Sequence, residues 1–420
     1  MIYVYLILRV YVKFMVSVKR FIGNSGERFA VLIDSDGIPL TYPNLYTTIN
    51  FRNRGHSVNT IVAVLEDIEL LYYLLNKLQI NIEQRIKEKV FLQLYEIEAL
   101  ANLANFKRNY LLNKKTDRKI VSFPDKRREA VRAKIVIKHD NVSKNLIYRR
   151  LTNFADYLHW LETYLCKASA TNTSKILKAR RPRKTIDQSA DYKSFEQDQI
   201  NLILETIDPS NQKNIWSSDF LNYRNELIIY LLLYLGCRKG ELLNIKLSDF
   251  VQSNGSFYIN IKRNHDDGSD TRLYQPLVKT RSRGLALNLN LKKKIDQYIL
   301  TYRSQIANAE SSHFLLISNQ GTPLSINALD KIFTQISSRF QFRVHAHAFR
   351  HTWNDKFTDK VQTLIESGRL TEDKAENDRA YLMGWIPGSQ SARKYAKRAE
   401  DRRAVEVGLG IQNKFEENNE

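Results

Sequence analysis

Cysteine is almost absent from this chain: of 420 residues, only Cys166 and Cys237 carry a thiol. Two distant cysteines without CxxC spacing exclude a disulfide framework and a zinc ribbon, and they suit a reducing cytosol. The eight histidines include no HExxH pair, so a zinc-protease helix is excluded too. Acidic charge is short, with 45 Asp and Glu against 65 Lys and Arg, which leaves a formal net charge of +20. That surplus attracts polyanions, nucleic acid ahead of an anionic membrane surface, and says nothing about fold. Long uncharged apolar runs are also lacking. The nearest, residues 1–16, is broken by Arg9 and Lys13. Its even positions, from Ile2, Val4 and Leu6 to Phe14 and Val16, are apolar, while Tyr3, Tyr5, Arg9, Tyr11 and Lys13 take the other face. That is the period of a strand, not of a signal peptide or membrane anchor. The expectation is a soluble cytoplasmic protein that does not engage a membrane.

What is present is enough for several cores: 43% of the residues are hydrophobic, and the chain is too long for one ordinary domain. Residues 1–55 read as a small β-rich arm, with a strand at 29–34 and turns at Asn24-Ser25-Gly26 and Asp36-Gly37. Residues 56–166 read as a compact helical domain. Ser57 caps a helix whose Ile61, Val64, Leu65, Ile68, Leu71, Leu75 and Leu78 fall at helical spacing, and further helical patterns cover 83–104, 125–137 and 143–165. Residues 167–192 read as a basic linker: Lys167, Lys175, Lys178, Arg180, Arg181, Arg183 and Lys184 occur there with no acidic residue as far as Thr185. Residues 193–411 form the last domain. It has helices at 197–207 and 221–235, the latter ended by Gly236, and strands at 257–262, 271–278 and 285–289. Helices at 327–338 and 348–357 complete it. Residues 412–420 are a polar tail. The predicted fold class is multidomain and mainly α, with an α+β final domain built on one small antiparallel sheet.

The chemistry concentrates in that domain. Val344-His345-Ala346-His347-Ala348-Phe349-Arg350-His351-Thr352 sets His347 and Arg350 three residues apart, on one face of a helix, so an imidazole and a guanidinium can converge on one small anion. A helix with a satisfied histidine and a surface arginine would match HxxR equally well, so the motif gains weight from its company. Upstream lies Gly236-Cys237-Arg238-Lys239-Gly240-Glu241-Leu242, in which Glu241 can orient the Arg238 guanidinium. Pro276-Leu277-Val278-Lys279-Thr280-Arg281-Ser282-Arg283 follows. Downstream lies Leu382-Met383-Gly384-Trp385, with Tyr395 ten residues later between basic neighbours.

Arg, Lys, HxxR, His or Trp, then Tyr, in that order, resembles the tyrosine recombinases, the phage-integrase family of DNA strand-exchange enzymes. The resemblance implies a helical core-binding (SAM-like) domain at 56–166 and a catalytic domain at 193–411. It assigns Tyr395 as nucleophile, Arg238 and Arg350 as the phosphate clamp, and Lys279 as acid for the 5′ leaving oxygen. His347 and Trp385 become phosphate donors, with Glu241 and His351 in support. Trp385 stands where many members have histidine, and Phe349 where leucine is usual. Phosphate contacts to duplex DNA are expected from Lys126, Arg127, Arg128, Arg149, Arg150, Lys178, Arg180, Arg181, Arg183 and Lys184. No metal or other cofactor is implied. The implied assembly is a homotetramer on paired sites, nucleoid-associated, with room for an accessory DNA-bending or directionality protein. A type IB topoisomerase and a DNA-binding regulator with a relict site remain the alternatives.

Overall fold

The computed structural model describes residues 16–112, 141–166, 171–183, 194–211, 214–263, 266–386, 404–405 and 407–412. The alternating run at 1–15 and the helical pattern at 125–137 lie outside the described residues. The chain divides into two compact units, 1–23 with 28–188 and 24–27 with 189–420.

In the first unit, β1 (Ser17–Ile22) and β2 (Arg28–Ile33) pair antiparallel with Ser17 opposite Ile33. Strand-like sequence was expected to run on to about residue 46, but Thr41–Asn50 is a helix, α1. Its threonines and asparagines are weak helix formers, so periodicity does not announce it. Tertiary bonds hold it instead: Asn44 donates to the carbonyls of Leu32 (2.9 Å) and Leu40 (2.6 Å) and accepts from the Leu32 amide (2.8 Å). Helix α2 (Val58–Lys77) starts after Ser57 as its spacing predicts. The pattern at 83–104 resolves into α3 (Ile82–Lys87) and α4 (Leu94–Leu103), followed by α5 (Arg108–Leu112) and α6 (Lys144–Cys166). Leu32 and Tyr46 share one core with Leu65, Leu71, Phe154 and Leu158, so the described strands pack into the helical unit. The stretch read as a linker contains a further helix, α7 (Thr173–Ala179), whose Leu177 is fully buried. Its apolar stripe, Ile176 and Leu177, is too short to stand out against seven positive charges.

In the second unit, α8 (Gln197–Ile207) and α9 (Asp219–Leu235) lead to Gly236, which closes α9 in the left-handed region at φ 57°. A four-residue helix, α10 (Lys239–Leu242), follows at once. The sheet runs β3 (Phe250–Ser253), β4 (Ser256–Ile261), β5 (Arg283–Leu287) in that order, all antiparallel, with Phe257 opposite Leu287. Residues 271–278, expected as a strand, are not one; the third strand is β3. Within that stretch burial is inverted, since Leu273 and Tyr274 are exposed whereas Arg272 and Gln275 are buried. Arg272 donates to the carbonyls of Leu243 (3.1 Å) and Leu324 (2.8 Å), pinning the segment by its side chain, and Pro276 has no amide to give a ladder. Helices α11 (Leu289–Gln297), α12 (Ile326–Ser337), α13 (Ala346–Glu366) and α14 (Glu372–Met383) complete the unit. Leu227, Leu231, Leu232, Ile317, Leu329, Phe333 and Phe349 form its core. Among the described residues no helix is long and apolar enough to cross a membrane.

Candidate active site

Three chain segments meet at the abrupt end of α9. Arg350, on the first turns of α13, is fully buried and donates through Nη1 to the Gly236 carbonyl (2.8 Å) and through Nη2 to the Met383 carbonyl (3.0 Å). One guanidinium thus ties the end of α9 to the end of α14. Gly236 is required twice over: its φ is positive, and a Cβ there would lie 2.8 Å from the Trp353 ring. Trp385 is buried beside Met383 and Trp353, with the Arg350 guanidinium 5.6 Å from its ring centre.

The chain turns at Gly236 so that Arg238 caps α10. Its amide donates to Glu241 (2.8 Å), and its Nη1 lies 3.8 Å from the Glu241 carboxylate. Glu241 is buried and sits among three guanidiniums. Arg283 makes two bonds to it (3.1 and 3.2 Å), Arg350 approaches to 3.9 Å, and the Thr280 hydroxyl donates to it as well. Burial alone would raise the Glu241 pKa, yet Arg283 and Arg350 outweigh it and hold the carboxyl below its usual range. One carboxylate facing three guanidiniums leaves local positive charge uncompensated, and an anion entering beside Arg238 would neutralise part of it. Cys237, buried next to this set, has its thiol pushed up to about 12 by burial and by Glu241, so it supplies no thiolate.

That anion has a place. A cleft of about 710 Å³ is lined by Arg238, His347 and Arg350, together with Lys239, Asp330, Arg343 and His345. The structure therefore brings Arg238, His347 and Arg350 onto one wall. His347 is exposed and packs edge-to-face on His351, their ring centres 4.6 Å apart. His345 plays a structural part, since its Nδ1 accepts from the Ala348 amide (3.2 Å) and caps α13. Lys279 is exposed on the connection between β4 and β5 and does not line the cleft. The end of its loop is nonetheless fixed, since the Arg281 amide donates to the Gly384 carbonyl (3.0 Å) and Arg283 Nε to the Leu382 carbonyl (2.6 Å). Tyr395 lies outside the described residues.

Sequence reasoning missed Arg283 as a partner of Glu241, and it missed Asp330 and Arg343 in the cleft wall. Nothing in their local pattern distinguishes them. Gly240 has a reason the sequence hides: a Cβ there would lie 2.4 Å from the Leu277 carbonyl oxygen, so α10 can approach the Lys279 loop only as glycine.

The expected phosphate contacts of the first unit need correction. Arg150 is buried and donates to the carbonyls of Ala104 and Phe106 (both 2.8 Å), which leaves it no path to a phosphate. Arg149 is paired through two bonds with Asp67 (2.9 and 3.0 Å). Lys178 pairs with Asp156 (2.7 Å), Arg180 with Glu98 (2.8 Å), and Arg181 lies over the Tyr148 ring (4.5 Å). Arg183 is exposed, whereas Lys126, Arg127, Arg128 and Lys184 lie outside the described residues.

Residues 193–361 match the phage integrase family. The tyrosine recombinase XerH of Campylobacter jejuni is 27% identical over 156 residues, a match covering 36% of this chain and 39% of that relative's length. Among solved structures, XerH bound to its difH substrate before cleavage is 19% identical over 63% of this chain and 65% of that one, with a TM-score of 0.39. Lambda integrase residues 75–356 bound to DNA are 13% identical over 85% of this chain and 95% of that one, with a TM-score of 0.44.

Proposed function

We propose that this chain, whose residues 193–361 match the phage integrase family, is a site-specific DNA recombinase working through a 3′-phosphotyrosyl intermediate. The observation that carries the reading is the convergence of Arg238, His347 and Arg350 on one cleft, with Glu241 buried behind the two arginines. Two guanidiniums and an imidazole can stabilise the charge that builds on the nonbridging oxygens of a phosphodiester, usually the largest catalytic term.

In this reading Tyr395 attacks phosphorus and forms the phosphotyrosyl ester, its phenolic proton passing to His347. The bond from phosphorus to the 5′ oxygen breaks, and Lys279 protonates that oxygen as it leaves. A 5′-hydroxyl from another strand then reverses the step and frees Tyr395. One phosphodiester is exchanged for another, so no nucleotide hydrolysis is needed. His347 and Trp385 hydrogen-bond the phosphate oxygens, and His351 buttresses His347. The domain order 56–166, 167–192 and 193–411 would serve as core-binding module, connection and catalytic module, around duplex DNA and as a tetramer on paired sites. Integration or excision of a mobile element, with an accessory protein setting direction, is the corresponding biological role.

The test is trapping on nicked suicide duplexes, followed by mass spectrometry of the adduct. A nucleotide on Tyr395 is the expected result, and an adduct on a different tyrosine reassigns the nucleophile. Tight duplex binding without any adduct would instead indicate a DNA-binding regulator. Relaxation of supercoiled plasmid by the monomer would indicate a type IB topoisomerase.

A further inference from the structure

The cleft holds more positive charge than one phosphodiester requires. Apart from Arg238 and Arg350, its wall carries Lys239 and Arg343, and against these stands one carboxylate, Asp330. Asp330, Phe333, Thr334 and Ser337 recur at helical spacing and present one face of α12 to the cleft. Lys239 reaches across from α10 to Asp330, with Nζ 3.1 and 3.2 Å from its two carboxylate oxygens, and both side chains are about half exposed (45% and 53%). A carboxylate in the wall of a phosphate cleft is out of place electrostatically. Its pairing with Lys239 makes it an internal stand-in for a second anion.

Arg343 has no such stand-in. It is exposed, and among the described residues it makes no hydrogen bond or ion pair. Its backbone is nevertheless held on both sides. Phe342 packs on Phe195 with ring centres 6.1 Å apart, and Ser337 Oγ accepts from the Val344 amide (2.9 Å) and donates to the Val344 carbonyl (3.1 Å). A long cationic side chain on a fixed base, unpaired and lining a cleft, is available to an anionic ligand, which has only the side chain and not the backbone left to order.

We propose that Arg343 and Lys239 form a second phosphate subsite in this cleft, taking a backbone phosphate of the DNA strand next to the one held by Arg238, His347 and Arg350, and that Asp330 occupies this subsite in the DNA-free protein. The proposal rests on the reading of the cleft as the DNA-cleaving site. On binding, the DNA phosphate displaces the Asp330 carboxylate from Lys239, so Asp330 weakens binding while keeping the empty cleft from holding adventitious anions.

The experiment measures binding of the full chain to a pool of mixed-sequence duplexes across a salt series, for wild type, Arg343→Gln, Asp330→Asn and Arg238→Gln. Each phosphate neutralised adds about 0.9 to the slope of log affinity against log salt. Arg343→Gln is expected to lower that slope by about one with the fold intact by circular dichroism. Asp330→Asn is expected to raise it by about one and to tighten binding a few-fold, because Lys239 is released to the phosphate. If Arg238→Gln lowers the slope while the other two variants match wild type, the subsite is overturned and the cleavage reading stands. If no variant shifts it, DNA does not enter the cleft and both readings fall.

Discussion

At the scale of single residues, the cleft's positive charge is organised by Glu241. Three guanidiniums packed this closely would repel one another without a carboxylate between them, and burial leaves little water to screen them. Replacing Glu241 with Gln keeps the shape and one acceptor but removes the charge. It should cost on the order of 3 kcal/mol, the scale for breaking a buried ion pair. The pH dependence follows from the depressed folded-state pKa of Glu241. Its stabilisation is fully present above the ordinary carboxylate value of about 4.3 and is lost as pH falls through the lower folded-state value. Urea denaturation from about pH 3 to about pH 7 should therefore show wild type losing stability on the acid limb, with Glu241→Gln already less stable near neutrality and flatter below about pH 4. Parallel acid limbs would mean that Glu241 is not the group that titrates.

At the scale of elements, the legible parts of the fold were those stabilised by local pattern. Helix α8 runs from Gln197 to Ile207 as its spacing predicts, and Gly236 ends α9 as a glycine after an apolar run should. The misread parts depend on side-chain bonds to distant backbone. Helix α1 leans on Asn44 and the carbonyl of Leu32; the irregular stretch at 271–278 leans on Arg272 and the carbonyl of Leu324. The end of α14 shows the same principle acting on the site. Gly384 has φ 65°, and a Cβ there would sit 2.6 Å from Arg283 Nη1 and 2.8 Å from Thr280 Cβ. Gly37 also has a positive φ, 83°, but nothing lies within 4 Å of a Cβ built on it. The two glycines separate backbone strain from close packing. Gly37→Ala should cost about 1 kcal/mol, the left-handed penalty for a residue with a Cβ, and leave DNA cleavage unchanged. Gly384→Ala should lower the melting temperature further and reduce cleavage, because Arg283 and Thr280 must move and they hold Glu241. Equal melting temperatures and equal cleavage in the two variants would show that the Gly384 contact is slack.

At the scale of the whole molecule, the charge surplus of +20 was legible at once, but where it acts was not. Net charge carries no direction, and Arg149, Arg150, Lys178 and Arg180 are engaged within their own unit. Apolar charge-free surface near the chain's end poses the converse problem. Val405 is helical, Val407, Leu409 and Ile411 belong to a short helix at 407–412, and the four are exposed at 62%, 63%, 53% and 51%. At 100° per residue, Val407 and Ile411 share one side of that helix while Leu409 lies on the opposite side. A helix this short with bare apolar side chains on both sides is not self-stabilising, and nothing among the described residues covers these side chains. If a second copy on DNA covers them, as the tetramer proposed above requires, both sides are hidden only in the multimer. Truncation after Glu406 should leave the monomer's melting temperature and its affinity for a single site unchanged, while cooperative binding to paired sites and strand exchange are lost. Gel-shift titration on one-site and two-site duplexes reads the first pair of properties against the second. A fall in monomer stability on truncation would show that the segment docks on its own chain, and would remove this argument for a multimer.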